Sequence, residues 1–437
     1  MEGASMQIKI LLLALIAISI LSSIFAQDLN GDGHPDLIFS NYYNGSSHNT
    51  NSYIYWGNGT SGYSSKTELA TQGAIASAVA DLNNDGKQDI IFANHYSGGY
   101  NINSFVYWGA DSNPYSTKMN LATQGAYDVQ VSDLNADGYN EIVFSNYHNG
   151  STRNINSYIY WGAASNPYTS RTDLATSGAL ESNIVDLNND GYKDIIFSNH
   201  HNDSSYLIDS YIYWGGASGY SSSNRTGLAT KGGFASDVAD LNNDGYLDIV
   251  FANYHNGSTR NTTSYIYWGA ASNAYATKTE LQTMGAVDVK IADLNQDGRL
   301  DLVFANYHND SAYAINSYIY WGDQSNLYSS RTELATLGAY SADVADLNGD
   351  GYLDVAFANH YNGSYAVNSY IYWGAASNAY ATRSELPTLG ALHVNIVGGE
   401  NIAIPEPSSM AAVFLGILCL SIRKFLHKRR VPSRNNF

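Results

Sequence analysis

Cysteine and basic residues are scarce in this chain of 437 residues. The single cysteine, Cys419, excludes an intrachain disulfide, because a disulfide needs two thiols. Lysine and arginine together number 21 against 39 aspartate and glutamate residues, which gives a formal net charge of −18. Nucleic-acid binding depends on a basic patch or stripe, so this balance argues against a nucleic-acid partner. Catalytic signatures are also missing: the sequence has no nucleophile elbow, phosphate-binding loop or His-Glu metal motif.

One motif, Asp-Leu-Asn-x-Asp-Gly-x-x-Asp, occurs seven times and organises the chain. Successive copies are 52 to 54 residues apart, and a fixed period of this length indicates a repeat architecture in which each unit is one supersecondary element. The third copy departs from the pattern, with Glu141 at its ninth position. The copies begin at Asp28, Asp81, Asp133, Asp186, Asp240, Asp293 and Asp346.

The motif predicts a calcium-binding loop. Oxygen-bearing side chains at positions 1, 3, 5 and 9, with glycine at position 6 for a sharp turn, suit a hard cation that takes six or more oxygen ligands. The flanks are short apolar runs without the glutamate at position 12 of an EF-hand, so the loop joins two strands. An Asx-rich turn without metal is the alternative for any single copy, and seven copies favour metal. The predicted ligands are Asp28, Asn30, Asp32, Asp36, Asp81, Asn83, Asp85, Asp89, Asp133, Asn135, Asp137, Glu141, Asp186, Asn188, Asp190, Asp194, Asp240, Asn242, Asp244, Asp248, Asp293, Asn295, Asp297, Asp301, Asp346, Asn348, Asp350 and Asp354.

The charge balance supports up to seven bound Ca2+ ions. Three acidic ligands in each of seven loops make 21 residues, more than half of the 39 acidic residues. Seven divalent cations add 14 positive charges and would bring −18 to −4. Without metal, the carboxylates crowded in each loop repel one another and oppose folding. Calcium is therefore the predicted cofactor.

The rest of each repeat predicts four strands. In the fifth copy, the apolar residues 247–252 follow the metal loop, and residues 264–269 follow a polar turn, with β-branched and aromatic residues in both segments. Apolar residues occupy both faces of the second and third strands, so neighbouring sheets must cover both faces. Four-stranded sheets arranged radially form a β-propeller. We therefore predict an all-β fold, a seven-bladed β-propeller of four-stranded blades.

Two further features concern packing and closure. All seven tryptophans occupy one repeat position, which favours packing between blades over seven binding sites. The first metal loop directly follows an apolar leader, so the first blade lacks its first strand. Residues 390–397 match that strand in pattern, and this C-terminal strand is predicted to close the ring and remove open sheet edges. The tryptophans are Trp56, Trp108, Trp161, Trp214, Trp268, Trp321 and Trp373.

These repeats resemble FG-GAP or VCBS repeats, the calcium-loop blades of integrin α-subunit propellers and of many bacterial surface proteins. The resemblance covers about residues 28–397 and rests on the seven loop motifs. It implies a propeller with calcium in the hairpin between the first two strands of each blade. It implies no single activity, since members include adhesion modules, lectins and polysaccharide-degrading enzymes, and a fold alone does not determine function.

The N-terminal segment, residues 1–26, has the form of a signal peptide. Lys9 precedes an apolar run over residues 10–25, and the small Ala26 follows it. The propeller is assigned to residues 27–402. Export is therefore the expectation.

The C-terminal segment, residues 403–437, is expected to sort or anchor the protein. It combines the triplet Pro-Glu-Pro at residues 405–407, a short apolar span and a basic end. It resembles the PEP-CTERM sorting signal of Gram-negative bacteria, which implies processing by an exosortase-like enzyme. A plain transmembrane anchor is the alternative. Both the sorting signal and the plain anchor predict a location at the cell envelope, at the outer surface or outside the cell. In both cases the tail would hold the protein to the membrane at least transiently.

The turns between the second and third strands are the candidate ligand-binding surface. Successive turns of an up-and-down blade alternate between the two faces of the disc, so these turns lie opposite the metal loops. Aromatic rings stack on sugar faces, and Asn and His can both donate and accept hydrogen bonds. Repetition in every blade favours the competing interpretation, that these residues pack each turn against its neighbour. The candidates are Tyr42, Tyr43, His95, Tyr96, Tyr147, His148, His200, His201, Tyr254, His255, Tyr307, His308, His360 and Tyr361.

Together these features predict a non-catalytic binding or adhesion module for an extracellular polysaccharide or a surface protein. A polysaccharide lyase on a propeller scaffold, with a catalytic Lys, Tyr or His in its channel, and a purely structural envelope protein are the alternatives. Catalysis needs a constellation in one place, and the polar residues that break the repeat belong to different blades. These residues are Glu181, Asp209, Lys231, Arg299, Asp323 and His393.

Overall fold

Twenty-seven β-strands and no helix make up the described part of the chain. The structure is a computed structural model that describes residues 29–30, 36–43, 46–56, 65–111, 114–164, 167–347, 350–376, 379–389 and 391–394. The predicted signal peptide and sorting tail lie outside these residues. Within them, no helix has the length and apolar character needed to cross a membrane.

The strands form seven antiparallel sheets in chain order. The first sheet contains β1 (Leu37–Phe39), β2 (Asn49–Trp56) and β3 (Ser65–Gln72). Each later sheet has four strands: β4 (Ala74–Ala80), β5 (Asp89–Asn94), β6 (Asn101–Tyr107) and β7 (Lys118–Gln124); β8 (Ala126–Ser132), β9 (Glu141–Asn146), β10 (Asn156–Tyr160) and β11 (Arg171–Ala175); β12 (Ala179–Val185), β13 (Asp194–Asn199), β14 (Leu207–Tyr213) and β15 (Arg225–Lys231); β16 (Gly233–Ala239), β17 (Asp248–Asn253), β18 (Asn261–Trp268) and β19 (Thr277–Met284); β20 (Ala286–Ala292), β21 (Asp301–Asn306), β22 (Ala314–Tyr320) and β23 (Arg331–Leu337); β24 (Ala339–Ala345), β25 (Asp354–Asn359), β26 (Ala366–Tyr372) and β27 (Arg383–Leu389).

The sheets are the blades of a propeller. The first strand of each four-stranded blade contacts the first strand of the next blade, from β4 through β8, β12, β16 and β20 to β24. These six strands therefore line a central channel, and the fourth strands lie at the rim. The predicted seven-bladed all-β propeller is confirmed.

The second strand of each blade forms the core. From β5 to β25, all six residues of every second strand are buried. One apolar cluster joins Val250 and Ile266 of the fifth blade to Leu302 and Phe304 of the sixth. Both faces of these strands are covered by neighbouring blades. For this reason the four residues between the acidic first residue and the final Asn are apolar or small and do not alternate with polar ones.

Adjacent blades are also joined by polar contacts. In the second to seventh blades, a tyrosine near the end of the third strand donates its hydroxyl to a carbonyl on the last strand of the preceding blade, as Tyr107 does to Ala70 at 2.7 Å. Trp56 stacks on Tyr115 of the next blade with ring centroids 6.4 Å apart, and Trp321 stacks on Tyr380 at the same distance. For these two tryptophans the predicted packing between blades is confirmed. The same tyrosine contact is made by Tyr160, Tyr213, Tyr267, Tyr320 and Tyr372.

The predicted closing strand of the first blade lies only partly among the described residues. The sheet of this blade has three strands, and the described residues 391–394 form no strand of their own. Leu392 and His393 nonetheless line the same cavity as Ile75 and Tyr340, which belong to the innermost strands of the blades on either side. The C-terminal segment therefore occupies the expected inner position, without a described ladder to β1.

Candidate functional site

The five predicted metal loops that the structure describes in full fold around their own side chains, as the fifth copy shows. Both carboxylate oxygens of Asp240 accept backbone N–H groups, from Asp244 at 3.0 Å and Gly245 at 2.8 Å. The Asn242 side-chain oxygen accepts the Asp244 N–H at 2.9 Å, and its amide donates to the Asp244 carboxylate at 3.0 Å. Gly245 has φ of +88° with nothing within 4 Å of a would-be Cβ, so the glycine is required for its backbone conformation and not for space. The oxygens of positions 1, 3 and 5 thus converge on one loop interior.

The acidic residue at position 9 has a second role that the sequence pattern does not reveal. Asp248 is fully buried, and its two oxygens accept the N–H groups of Leu241 at 2.9 Å and Gly269 at 2.7 Å. Burial raises the pKa of Asp248 to about 7; the two backbone donors oppose this shift, and the nearby carboxylates of Asp244 and Asp240 add to it. The carboxylate therefore ties the metal loop to the Trp-Gly turn on the same face of the disc.

The glycine of each described Trp-Gly pair is needed for this contact. A Cβ on Gly269 would lie 2.3 Å from the carbonyl oxygen of Leu247, so only glycine lets the turn approach the loop. Glu141, the exception at position 9, makes the equivalent contacts, accepting the N–H of Leu134 at 2.7 Å and of Gly162 at 3.3 Å. Its longer side chain therefore keeps the arrangement of the other copies.

The donor set fits a calcium ion in its chemistry, because each loop offers two carboxylates, a side-chain amide oxygen and a buried carboxylate at position 9. Among the described residues, no three His, Cys, Asp or Glu side chains form a ready-made metal cage. In the loops, the oxygens of positions 1 and 9 accept backbone N–H groups instead. Three predicted ligands lie outside the described residues: Asp28, Asp32 and Asn348.

The predicted turn face divides into an inner and an outer ring. The inner residues pack against one another: His95 and His200 are each 7% exposed, and His200 lies 5.4 Å from the Tyr254 ring. Tyr254 also accepts a hydrogen bond from Arg260 at 2.7 Å. These inner positions therefore pack blade against blade. The inner ring consists of Tyr42, His95, Tyr147, His200, Tyr254, Tyr307 and His360.

The outer ring reaches solvent. Tyr43 is 52% exposed, and the other outer residues are half-buried. In His255, the Nδ1 atom accepts the backbone N–H of Gly257 at 3.0 Å, which leaves the ring proton on Nε2 as an available donor. His148, His201 and His308 accept the equivalent N–H in the same way. The outer ring consists of Tyr43, Tyr96, His148, His201, His255, His308 and Tyr361.

Sequence comparison identifies the repeat. Five overlapping segments match the FG-GAP-like repeat, at residues 28–92, 81–144, 186–251, 240–304 and 293–357, and together they span more than half of the chain. The chain belongs to the FG-GAP-like repeat family. Each FG-GAP-like segment begins at the first residue of one metal loop and extends beyond the next loop. The matched unit therefore consists of two successive loops and the strands between them.

Individual relatives of this FG-GAP-like repeat protein are distant. A Mus musculus protein, the thrombospondin-type laminin G domain and EAR repeat-containing protein, is 33% identical over 78 residues, which cover 17% of this chain and 11% of the relative. The crystal structure of BBS1N in complex with ARL6DN has a TM-score of 0.47 at 11% identity, covering 76% of this chain and 87% of that one. The V. cholerae biofilm matrix protein Bap1 has a TM-score of 0.37 at 14% identity, with coverages of 84% and 80%.

The FG-GAP-like ring brings together residues that were predicted to be scattered. Glu181 and His393 line one cavity of about 80 Å³ in the central channel. Arg299 and Asp323 line a shallow polar cleft of about 420 Å³. The expectation of scattering is therefore wrong for these two pairs. Ring closure brings the equivalent positions of Glu181 and His393 to one axis, whereas Arg299 and Asp323 lie in two turns of the same, sixth blade.

Sequence analysis missed three further channel residues, Asp128, Asp288 and Lys290, which line the same cavity. The sequence did contain a signal for two of them. At one position of the innermost strand the residue type changes from repeat to repeat and is often charged, whereas the neighbouring positions are mainly small or apolar. That position is filled by Ala76, Asp128, Glu181, Ala235, Asp288, Ser341 and His393.

The channel carboxylates satisfy the inner sheet edges. The first strand of each blade has no neighbour on its channel side, which leaves backbone N–H groups unpaired. A carboxylate of the preceding blade accepts one of them in four places. The pairs are Asp128 with the N–H of Ser182 at 3.1 Å, Glu181 with Ser236, Asp237 with Ile291 at 2.9 Å, and Asp288 with Ala342 at 2.9 Å.

Proposed function

We propose that this FG-GAP-like repeat protein is an exported, surface-associated and calcium-stabilised module that binds an extracellular polysaccharide or a surface protein through its outer ring. The outer ring carries the proposal. It presents tyrosine and histidine side chains at one repeat position on the face opposite the metal loops, with imidazole Nε2–H groups available to a ligand. Aromatic faces and neutral donors suit sugar rings and polar protein surfaces.

The charge of the turn face supports a neutral ligand. In the described turns, the charged residues form two ion pairs, Arg153 with Asp203 at 3.0 Å and Arg260 with Asp310 at 2.7 Å. Burial lowers the pKa of His255, so its ring is uncharged at neutral pH. Acidic side chains are concentrated in the loops of the opposite face. The turn face therefore favours a neutral polysaccharide or an uncharged protein surface over an acidic polymer.

The lyase alternative has one feature in its favour, because Tyr127, Tyr340 and Lys290 line the central channel. Two properties of the channel weigh against it. The charge of Asp288, which outweighs the loss of solvation, raises the pKa of Lys290, so the amine stays protonated and is not a general base. The cavity of about 80 Å³ holds two or three water molecules at ~30 Å³ each, which is less than a sugar ring requires.

Avidity explains how weak contacts could become useful. A single tyrosine or histidine stacked on one sugar leaves most polar groups of that sugar in water, so one turn binds weakly. Seven equivalent turns around a disc engage a repeating polymer together, and linked sites raise overall affinity without new contacts. Loss of one outer residue should therefore have a small effect, and loss of several a large one.

The test is a glycan-array screen of the calcium-loaded protein, followed by titration of each hit. The single variant His255→Ala should weaken binding less than fivefold. The combined replacement of His148, His201, His255 and His308 by Ala should abolish it. Removing exposed aromatic side chains from the opposite face, as in Tyr192→Ala with Tyr246→Ala, is the matched control and should leave binding unchanged.

Melting temperatures must be measured beside affinities. The inner ring packs between blades, so Tyr254→Ala should lower stability, whereas the outer ring should not affect it strongly. If the four-histidine variant loses folding together with binding, the turns are structural. If the array and a panel of surface-protein extracts give no ligand at all, the structural envelope protein becomes the better assignment.

A further inference from the structure

The central channel is closed at the turn face by aromatic side chains. The Tyr127 and Tyr340 hydroxyls are hydrogen-bonded to each other across the channel. The Phe234 ring lies between them, with centroids 6.0 Å from Tyr127 and 5.5 Å from Tyr340. These three rings form a floor, and the innermost strands continue from it towards the metal-loop face.

A ring of carboxylates lies directly above this floor. Asp128, Glu181 and Asp288 line the cavity, and Asp237 follows one step further along the channel. Each one accepts a backbone N–H of the next blade. Asp288 and Asp237 also accept the N–H of the residue that follows them, and Asp128 accepts weaker bonds from two side chains. A carboxylate has about four lone-pair sites, so these contacts do not use all of them. The remaining lone pairs are available to a ligand in the channel.

Lys290 and His393 are the basic side chains that line this cavity, and they do not balance the charge. Loss of solvation lowers the pKa of His393, so its imidazole is uncharged at neutral pH. None of the ion pairs among the described residues includes the Lys290 ammonium group. Loss of solvation raises the pKa of Asp237 to about 6, and the same cause, reinforced by the charge of Asp288, raises the pKa of Glu181 well above its usual range. Four carboxylates and one ammonium leave an excess of negative charge that protons or a further cation must neutralise.

Ser341 provides an independent indication of a ligand. Its side chain is 2% exposed and lines the cavity beside the carboxylates. Its hydroxyl has no hydrogen-bond partner among the described residues. A buried hydroxyl without a partner costs about 1–3 kcal/mol, so a group that hydrogen-bonds to it, or coordinates its oxygen, is expected in the cavity.

We propose that the channel is a binding site for one small inorganic cation, separate from the seven metal loops and bounded by Glu181, Asp288 and Ser341. Such an ion takes oxygen ligands, which carboxylates, a hydroxyl and water supply here. No three acidic or imidazole side chains among the described residues converge closely enough to chelate a metal alone. The ion therefore keeps part of its water shell, and the cavity of about 80 Å³ holds an ion with one or two waters.

Anomalous diffraction tests the site directly. Crystals of the full chain grown in calcium are soaked in either MnCl2 or RbCl, which offer a divalent and a monovalent probe. The expected result is an anomalous peak in the channel between the Glu181 and Asp288 carboxylates and the Ser341 hydroxyl. A channel that contains only water in both soaks would overturn the proposal.

Variants give a second test in solution, by equilibrium dialysis against Mn2+. Glu181→Gln should bind one ion fewer per chain than the wild type. Asp209→Asn, which neutralises an exposed carboxylate outside the channel, is the matched control and should bind the wild-type number. Equal numbers for the two variants would show that the channel takes no ion.

Two further variants keep the proposal testable if Glu181→Gln fails to fold. Ser341→Ala removes a hydroxyl that has no described partner, so it should preserve the fold while lowering the occupancy of the channel peak at limiting Mn2+. Lys290→Met removes the competing positive charge and should tighten binding about tenfold or more, since unit charges a few ångströms apart interact by several kcal/mol at an effective dielectric constant of ~20. Tighter binding is specific to an electrostatic cation site; unchanged occupancy in both variants would contradict it.

Discussion

The Arg260 guanidinium lies 2.7 Å from the carboxylate of Asp310, which belongs to the next blade. The backbone N–H of Arg260 donates to the same carboxylate at 2.8 Å, and Thr259 adds its hydroxyl. Arg153 and Asp203 repeat the contact between the third and fourth blades. The turn face thus carries two equivalent contacts between adjacent blades. We call each one a clasp: an arginine in the turn of one blade is paired with an aspartate in the turn of the next.

A double-mutant cycle should measure this clasp. Asp310→Asn and Arg260→Gln should couple by about 1 kcal/mol, the upper end for partly exposed ion pairs. The same cycle on Arg153 and Asp203 should give a similar value, because the contacts are equivalent. Urea unfolding at neutral pH is the measurement. Additive effects in both cycles would show that the clasps contribute nothing to stability.

The clasp should also weaken in acid. Burial opposes the shift, but hydrogen bonds from Thr259 and Arg260 lower the pKa of Asp310 to about 2. An unfolded aspartate titrates near ~3.9, so the stabilisation is complete above that pH and is lost as the pH falls towards 2. The coupling energy measured at pH 7 should therefore persist at pH 5 and decline below pH 4. A coupling that disappears by pH 5 would contradict the assignment.

Calcium removal should melt or greatly loosen the propeller. Extracellular calcium modules bind at ~10⁻⁴–10⁻³ M, and free calcium at ten times the dissociation constant adds about 1.4 kcal/mol for each site. Seven sites would add roughly 10 kcal/mol, which is comparable with the whole stability of an ordinary domain at ~5–15 kcal/mol. Calorimetry in calcium and in excess chelator is the measurement. Identical melting curves would rule out calcium stabilisation.

Two adjacent glycines test the contact between the Trp-Gly turn and the metal loop. A Cβ on Gly215 would lie 2.1 Å from the carbonyl oxygen of Lys193, whereas a Cβ on Gly216 meets nothing within 4 Å. Gly215→Ala should therefore cost about 1–3 kcal/mol or more, and Gly216→Ala should change stability by less than ~0.5 kcal/mol. Thermal melts in saturating calcium compare the two. Equal effects would mean that the turn does not press against the loop.

The inner-ring histidines should make the fold acid-sensitive below neutral pH. Burial lowers the pKa of His95 to about 4 and that of His200 to about 3, whereas an unfolded histidine titrates near ~6.5. The unfolded state binds the proton first, so stability is complete above pH 6.5 and falls as the pH drops towards 4. Each histidine should cost about 2 kcal/mol between pH 6.5 and 5.

The variant His200→Gln provides the control for this pH dependence. It should reduce the slope of stability against pH by the contribution of one proton, while His255→Gln, at the more exposed outer position, should reduce it less. Denaturant midpoints at four pH values between 7 and 4.5 are sufficient. An unchanged slope in His200→Gln would show that this ring is already protonated in the fold.

Truncation should separate the propeller from its proposed anchor. No segment between residues 27 and 402 has an apolar run comparable with the one near the C-terminus. A chain ending after Ala403 should therefore appear as soluble, exported protein, and the full chain should fractionate with the envelope. Envelope fractionation of the truncated chain would place the anchor elsewhere.

The sequence alone determined the seven-fold repeat, the strand order and the position of the Asp-Asn-Gly loops that are predicted to bind metal. These features are local: the spacing of Asp, Asn and Gly dictates a loop, and apolar runs between turns dictate strands. The Gly at position 6, for example, is required by a φ of +88° at Gly245, which the motif already implies. The period of the motif then fixes how many blades the chain supplies.

Only the tertiary structure decided which residues meet on the axis and which turn residues are buried. The Tyr127 and Tyr340 hydroxyls are bonded although 213 residues separate them, and Glu181 and Asp288 share one cavity. Neighbouring Tyr254 and His255 are alike in the sequence pattern, yet Tyr254 contacts the buried His200 in the inner ring, whereas the half-buried His255 contacts Tyr206 and keeps its Nε2–H available. Closing the ring causes both results, because it places equivalent positions of distant blades a few ångströms apart. The contacts between those positions cannot be predicted from the spacing of residues within one repeat.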